Sequence, residues 1–255
     1  MLVEGKVCLI TGGGSGIGEV TALRFAEEGA RVVIADIDAA EGRRVAEAIQ
    51  AAHGETAAMA VQADVSAESE VRSLIEAIAK QYGRLDVLVN NAATILPKLI
   101  EDVEEREWNK VIDVNLKSVF LLTKHSLPLL KQSKGSIVNM ASLNGLVGQK
   151  QNAVYASTKG AIVAMTKSLA LDYAPDGVRV NCICPAGVST PLLEKWTEEQ
   201  DDPARTRVML DDMHPLGRPA KPHEIADAAL FFASGLSQFV TGVALPVDGG
   251  ASLGY

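Results

Sequence analysis

Seven short runs of β-branched and apolar residues, each followed by a longer stretch with helical spacing, constrain this chain more than any other feature. The runs occupy residues 7–11, 31–36, 59–64, 85–90, 136–141, 179–183 and 243–247. Most of them, such as VCLIT and RVVIAD, do not alternate apolar with polar residues, so both faces of each strand are expected to be buried. A parallel sheet between two layers of helices has that requirement. The helices come from the intervening segments, with Val20, Leu23, Phe25 and Ala26 after the first run and Val45, Ala48 and Ile49 after the second. This order predicts a doubly wound α/β fold, a parallel sheet of about seven strands with helices on both faces.

The 255 residues carry no low-complexity tract, internal repeat or Pro/Gly/Ser-rich bridge, so a single domain over 1–255 is expected. One irregular insert, 190–222, mixes acids and prolines with Leu192, Leu193, Trp196, Met209 and Met213. Its pattern fits a helical pair on the surface, or a cover that buries its apolar face over a ligand.

Composition narrows the partners. Lys plus Arg is 24 against 32 for Asp plus Glu, a net charge of −8. Nucleic acid and anionic membrane both call for cationic surface, so neither is expected. No apolar run approaches the roughly 18 residues of a membrane span, and Glu4 interrupts any signal-peptide pattern. Cys8, Cys182 and Cys184 form no CxxC, and the four histidines show no i, i+4 pair, so no metal is expected. Cys182 and Cys184, two apart on a strand, read as small buried hydrophobes on one face. A cytoplasmic protein follows from this usage.

The first strand runs directly into Thr11-Gly-Gly-Gly-Ser-Gly-Ile-Gly18 and then a helix. Glycines at such a junction let backbone N–H groups approach a pyrophosphate, and the helix N-terminus adds partial positive charge. Gly12, Ser15, Gly16, Ile17 and Gly18 are therefore candidate dinucleotide contacts. The second strand ends at Asp36, where a carboxylate accepts both ribose hydroxyls of an adenosine and repels a 2′-phosphate. Neither Ser15 nor Ile37 is basic, so NAD is favoured over NADP.

Tyr155 and Lys159 are four apart and share one face of a helix. A phenol with an ordinary pKa near 10 is a poor base at neutral pH. Lowering it by three units takes about 4 kcal/mol of electrostatics, which a cation nearby can supply. Ser142 follows the fifth run and so sits at a strand's C-terminal end, where open α/β sheets bind ligands. Its hydroxyl can hold the oxygen of a carbonyl or alcohol beside the tyrosine.

These residues together resemble the short-chain dehydrogenase/reductase family, in its compact single-domain Rossmann branch, over essentially the whole chain. TGGGSGIG resembles the family's cofactor turn, and Asp64-Val65 the pair whose acid meets the adenine amino group. Asn90-Asn91-Ala92 is similar to the family's NNAG, with Ala93 in place of the last glycine. Asn115 matches the asparagine that helps hold a water in the proton relay, and Ser142, Tyr155 and Lys159 match the catalytic serine, tyrosine and lysine. Asn181 through Pro185, Gly187, Val188 and Thr190 resembles the segment beneath the nicotinamide, with Ala186 where glycine is usual. Val247-Asp-Gly-Gly250 resembles the C-terminal signature.

The resemblance implies hydride transfer between NAD and a small secondary alcohol or ketone, a cyclic alcohol or polyol included. Tyr155 would be the acid/base, Ser142 would orient the substrate oxygen, and Lys159 would lower the tyrosine pKa and bind the nicotinamide ribose. It also implies a homotetramer through the helix around Tyr155, its predecessor and the C-terminal strand. Substrate contacts are expected from Ile95, Ser142, Asn144, Gln149, Asn152 and Trp196. An NADPH-dependent 3-oxoacyl carrier-protein reductase shares every catalytic residue and is the first alternative. A non-catalytic dinucleotide sensor is the second, and the intact Ser–Tyr–Lys set speaks against it.

Overall fold

The computed structural model describes residues 1–253. Seven strands form one parallel sheet in the order β3-β2-β1-β4-β5-β6-β7. They are β1 (Val7–Thr11), β2 (Arg31–Asp36), β3 (Ala58–Gln62), β4 (Val87–Asn90), β5 (Ser136–Met140), β6 (Arg179–Pro185) and β7 (Ala244–Val247). The expected runs are recovered, with ends displaced by one or two residues. β3 stops early because the Asp64 carboxylate accepts from Ser66 N (2.9 Å) and Ser66 Oγ (2.6 Å), turning the chain out of the ladder. β6 continues to Pro185 because β7 supplies partners there, Cys184 opposite Pro246 and Pro185 opposite Val247.

The helices are α1 (Gly16–Glu27), α2 (Ala39–His53), α3 (Glu68–Tyr82), α4 (Glu105–Ile112), α5 (Ser118–Ser133), α6 (Ala153–Tyr173), α7 (Pro191–Glu198), α8 (Pro203–Asp212) and α9 (Pro222–Ala233). Two cores lie on opposite faces of the sheet, as unalternated strands require. Cys8 and Ile10 of β1 face a core with Phe25 of α1, Ile49 of α2 and Phe232 of α9. Val7 and Leu9 face the other, with Leu74 of α3 and Leu122 of α5. Each such side chain, fully buried, contributes about 1.5–3 kcal/mol. Cys182 and Cys184 share a third, smaller cluster with Val163 and are free thiols. No helix among the described residues is long and apolar enough to cross a membrane.

The strand order reverses between β1 and β4, and open α/β sheets bind their ligands outside the C-terminal strand ends at such a switch point. Residues 190–222 hang over the same end of the sheet as α7 and α8. Each begins with proline at its first turn and is capped by a side chain, Thr190 accepting from Leu193 N and Asp202 from Arg205 N. Leu210 and Thr197 are buried, while Leu192, Met209 and Met213 remain exposed.

Candidate active site

The glycine turn is shaped by close backbone packing. Gly12 has φ +62°, and a Cβ there would meet the Ala92 backbone at 3.0 Å. A Cβ on Gly18 would fall inside the van der Waals envelope of the Gly12 carbonyl, so α1 crosses β1 where only hydrogen fits. Ser15, the N-cap of α1, has extended backbone and makes no side-chain cap. The first amides of this 12-residue helix are thus left for an anion, which suits the pyrophosphate of a dinucleotide.

The second strand places Asp36 against this turn. Its Oδ2 accepts from Gly14 N at 2.8 Å and its Oδ1 from Asp38 N at 3.0 Å. A carboxylate offers about four lone-pair sites, so capacity remains for a ribose diol. Ile37 beside it is exposed, and Val65, after Asp64 in the turn that follows β3, is buried. From β4, Asn91 Nδ2 donates to Thr11 O (2.9 Å) and Gly12 O (3.2 Å), while the Asn91 and Ala92 amides donate to Thr11 Oγ1. Asn90 points the opposite way, into the sheet, donating to Asn139 Oδ1. Ala93 and Ala186 are absent from the positive-φ residues, which outside glycine are only Lys134 and Gln151 among those described. The two departures from glycine therefore impose no backbone strain.

Ser142 and the Tyr155 pair lie at the C-terminal end of β5. Ser142 has extended backbone, and its Oγ accepts from Asn144 N at 3.2 Å. With that lone pair used, its own proton is free, and its hydrogen bond to Tyr155 favours the phenolate. Burial outweighs this and holds Tyr155 above its ordinary value of 10. Lys159, one turn along α6, is buried, donates to Met140 O at 2.7 Å and stands 5.5 Å from the Tyr155 ring centre. Burial lowers it from 10.5 to about 8. In this chain the tyrosine is therefore pushed up rather than down, because desolvation of its own hydroxyl outweighs every neighbouring group. Cys184 lies near Lys159, kept as a neutral thiol by its hydrogen bond with Cys182 and by burial.

Asn115 sits in a π-helical stretch, Asp113–Lys117, that joins α4 to α5. Its Oδ1 accepts from Thr94 N (2.8 Å), and its Nδ2 donates to Thr94 O (2.9 Å) and Thr158 Oγ1 (3.3 Å). This buried amide thereby ties the loop after β4 to the helix bearing Tyr155. Single-turn π-bulges recur at functional sites, and nothing in the residue pattern of 105–133 marks this one.

Among the expected substrate residues, three amides come together. Gln149 Oε1 accepts from both Asn144 Nδ2 and Asn152 Nδ2. Ile95 is exposed one residue beyond the pinned Thr94, and Trp196 is half-buried on α7 with its carbonyl taken by Gln200. No hydrogen bond among the described residues links either to Tyr155.

Pro185 ends β6, Val188 bridges to Ala220, and the Thr190 side chain lies beside Gly16. Two contributors escape a reading of the sequence. The Gly187 amide donates to His214 Nε2 (3.2 Å), whose Nδ1–H donates to Leu210 O (2.7 Å), so the ring is neutral and fixes the end of α8 to this segment. Arg44 of α2 donates to Gly14 O at 3.0 Å. The partners of both are set by tertiary approach, and no spacing announces them.

The chain is similar to known proteins over nearly its whole length. A family model described as enoyl-(acyl carrier protein) reductase matches residues 12–252. The chain is 42% identical to L-fucose dehydrogenase from Bos taurus, over 98% of this chain and 91% of the relative. It is 39% identical to 3-oxoacyl-[acyl-carrier-protein] reductase from Thermotoga maritima, over 98% and 99%. The solved structure of 3-ketoacyl-(acyl-carrier-protein) reductase from Brucella melitensis complexed with NADH superposes with a TM-score of 0.88 at 40% identity, covering 98% of this chain and 99% of that one. Fold, glycine turn and serine–tyrosine–lysine grouping all lead to one conclusion: the chain belongs to the short-chain dehydrogenase/reductase family.

Proposed function

We propose that this chain is an NAD-dependent oxidoreductase interconverting a small secondary alcohol and its ketone. The observation that carries this reading is the meeting of Ser142, Tyr155 and Lys159 at the end of β5, with Asp36 on the glycine turn of the same sheet edge.

The residues present suit a nicotinamide dinucleotide: the uncapped amides of α1 for the pyrophosphate, Asp36 for the adenosine ribose, and Lys159 with the segment 185–190 for the nicotinamide half. When bound, the nicotinamide ring accepts the hydride from an alcohol carbon or returns it to a carbonyl. The chain handles the proton. Tyr155 Oη takes it from the alcohol hydroxyl in oxidation and gives it back in reduction. Ser142 Oγ donates its hydrogen bond to the substrate oxygen or to the phenolate, holding the two oxygens in reach of each other. Lys159 Nζ, anchored on Met140 O, places a cation beside the ring that must become anionic. Asn115 positions this group by holding Thr94 and Thr158.

The amides Asn144, Gln149 and Asn152, which lie between Ser142 and Tyr155 in the chain and are joined by hydrogen bonds, suit a hydroxylated substrate; the relative named L-fucose dehydrogenase supports the same class. Residues 190–222 serve as the cover, their exposed Leu192, Met209 and Met213 being available to close over a ligand. Exposed Phe120 on α5 and Leu171 on α6 suit packing against further copies in a cytoplasmic homotetramer, which light scattering tests.

Initial rates across secondary alcohols, cyclic diols and sugars, run with NAD⁺ and NADP⁺ in parallel, test the reading. Turnover with NAD⁺ and a simple alcohol or sugar is expected. Preference for NADP⁺ and for a 3-oxoacyl thioester would replace it with the carrier-protein reductase.

A further inference from the structure

The glycine turn has a cation beside it, and two glutamates occupy that cation. Arg44 Nη2 donates to Gly14 O at 3.0 Å. Its Nε donates to Glu41 Oε2 and its Nη1 to Glu19 Oε1, each at 2.8 Å. Asp36 reaches the same residue from the other side through Gly14 N. A Cβ on Gly14 would meet both the Asp36 carboxylate and Glu41 Cβ at 2.9 Å, so these groups converge on one glycine. Two carboxylates hold one guanidinium, a local charge of −1, with the Asp36 carboxylate on the other side of Gly14.

A free guanidinium in that place would matter, because its planar fork binds phosphate oxygens in pairs. Here both terminal nitrogens and Nε are already engaged, two of the three by carboxylates. Arg44 is about half exposed, so these ion pairs add little stability. Their effect is on orientation and charge. Within the NAD reading above, on which this inference rests, Asp36 alone is not the whole discriminator. We propose that Glu19 and Glu41 are specificity-determining residues: by occupying Arg44 they prevent it from clamping the 2′-phosphate of NADP, and Arg44 becomes a phosphate ligand when they are removed.

The test is direct binding, by titration calorimetry, of NAD⁺, NADP⁺ and adenosine 2′,5′-bisphosphate, independent of turnover. The proteins are the wild type, Asp36→Ser, Asp36→Ser/Glu19→Gln/Glu41→Gln, and the last with Arg44→Met added; thermal melts verify that each is folded. Removing the two glutamates on the Asp36→Ser background should tighten NADP⁺ and the bisphosphate by about tenfold, with NAD⁺ changed by less than about threefold. Arg44→Met should cancel the gain, and added salt should shrink it. No gain, or a gain that survives Arg44→Met, overturns the assignment of Arg44 while leaving the NAD reading intact. A wild type that binds NADP⁺ more tightly than NAD⁺ overturns the NAD reading itself.

Discussion

Lys159 reaches across from α6 to donate a 2.7 Å hydrogen bond to the carbonyl of Met140, the last residue of β5. This bond connects the helix that carries Tyr155 to the strand that delivers Ser142. An ammonium buried here is costly, and the lowering of its pKa to about 8 measures that cost. The position makes sense as chemistry, since a cation 5.5 Å from the Tyr155 ring is worth most where water is excluded.

Lys159→Met should therefore stabilise the fold while abolishing turnover. The gap between 10.5 and about 8 corresponds to about 3 kcal/mol of cost at neutral pH, offset by about 1 kcal/mol from the bond to Met140. A folded-state pKa below the unfolded one means the unfolded chain binds more protons between pH 8 and 10.5. The cost is thus complete below about pH 8 and is relieved as pH rises towards 10.5. Urea unfolding at pH 7 should give the variant about 2 kcal/mol more stability than wild type, an advantage that shrinks by pH 10.

Tyr155→Phe should keep dinucleotide affinity, read by calorimetry, and lose about 10³-fold or more in kcat. The ring packing survives and only the hydroxyl is lost. Retained turnover would remove the phenol from the proton path.

Alcohol oxidation should accelerate with pH, because only the deprotonated Tyr155 accepts a proton and burial holds its pKa above 10. Ser142 opposes that shift, so Ser142→Ala should move the rise in kcat/KM to higher pH as well as slow the reaction. A flat profile from pH 6 to 10 would assign the base elsewhere.

Asn115→Leu should destabilise the chain by about 1–3 kcal/mol, since it leaves the half-buried Thr94 N–H and C=O without their partners. The loop after β4 and the start of α6 then lose their tie, and kcat should fall although Asn115 lies outside the serine–tyrosine–lysine group. Chemical denaturation and steady-state rates together check both effects.

Gly18→Ala should reverse the usual helix rule. Alanine inside a helix gains about 0.5–1 kcal/mol over glycine, but at Gly18 the methyl collides with the Gly12 carbonyl and forces the turn apart. Dinucleotide affinity should fall by at least about tenfold. Gly160→Ala on α6, where the methyl would meet only the Gly145 carbonyl at 3.7 Å, should give the ordinary helical gain and serves as its control in thermal melts.

Much of this was legible because burial on both sides leaves a mark in composition. Runs such as VCLIT and RVVIAD reveal strands covered above and below, and the structure recovers all seven in a parallel sheet. The places of Asp36, Ser142 and the glycine turn at one edge of the sheet were legible from the sequence, since each closes or follows a strand and the C-terminal ends of all strands in a parallel sheet lie along one edge. The pairing of Tyr155 with Lys159 follows from helical spacing. The strand ends are set by pairing and not by composition: whether β6 stops at 183 or 185 depends on what β7 offers beside it.

What the residues by themselves determined, then, is the local conformation and the order along the chain, because periodicity and glycine chemistry act over a few bonds. Approach between distant segments belonged to the tertiary structure. It sent Asn90 into the sheet and Asn91 to the turn, pinned Asn115 on Thr94, set His214 under Gly187 and surrounded Arg44 with carboxylates. It also set the proton affinities of Tyr155 and Lys159, because desolvation depends on everything packed around a group and on nothing that its neighbours in sequence reveal.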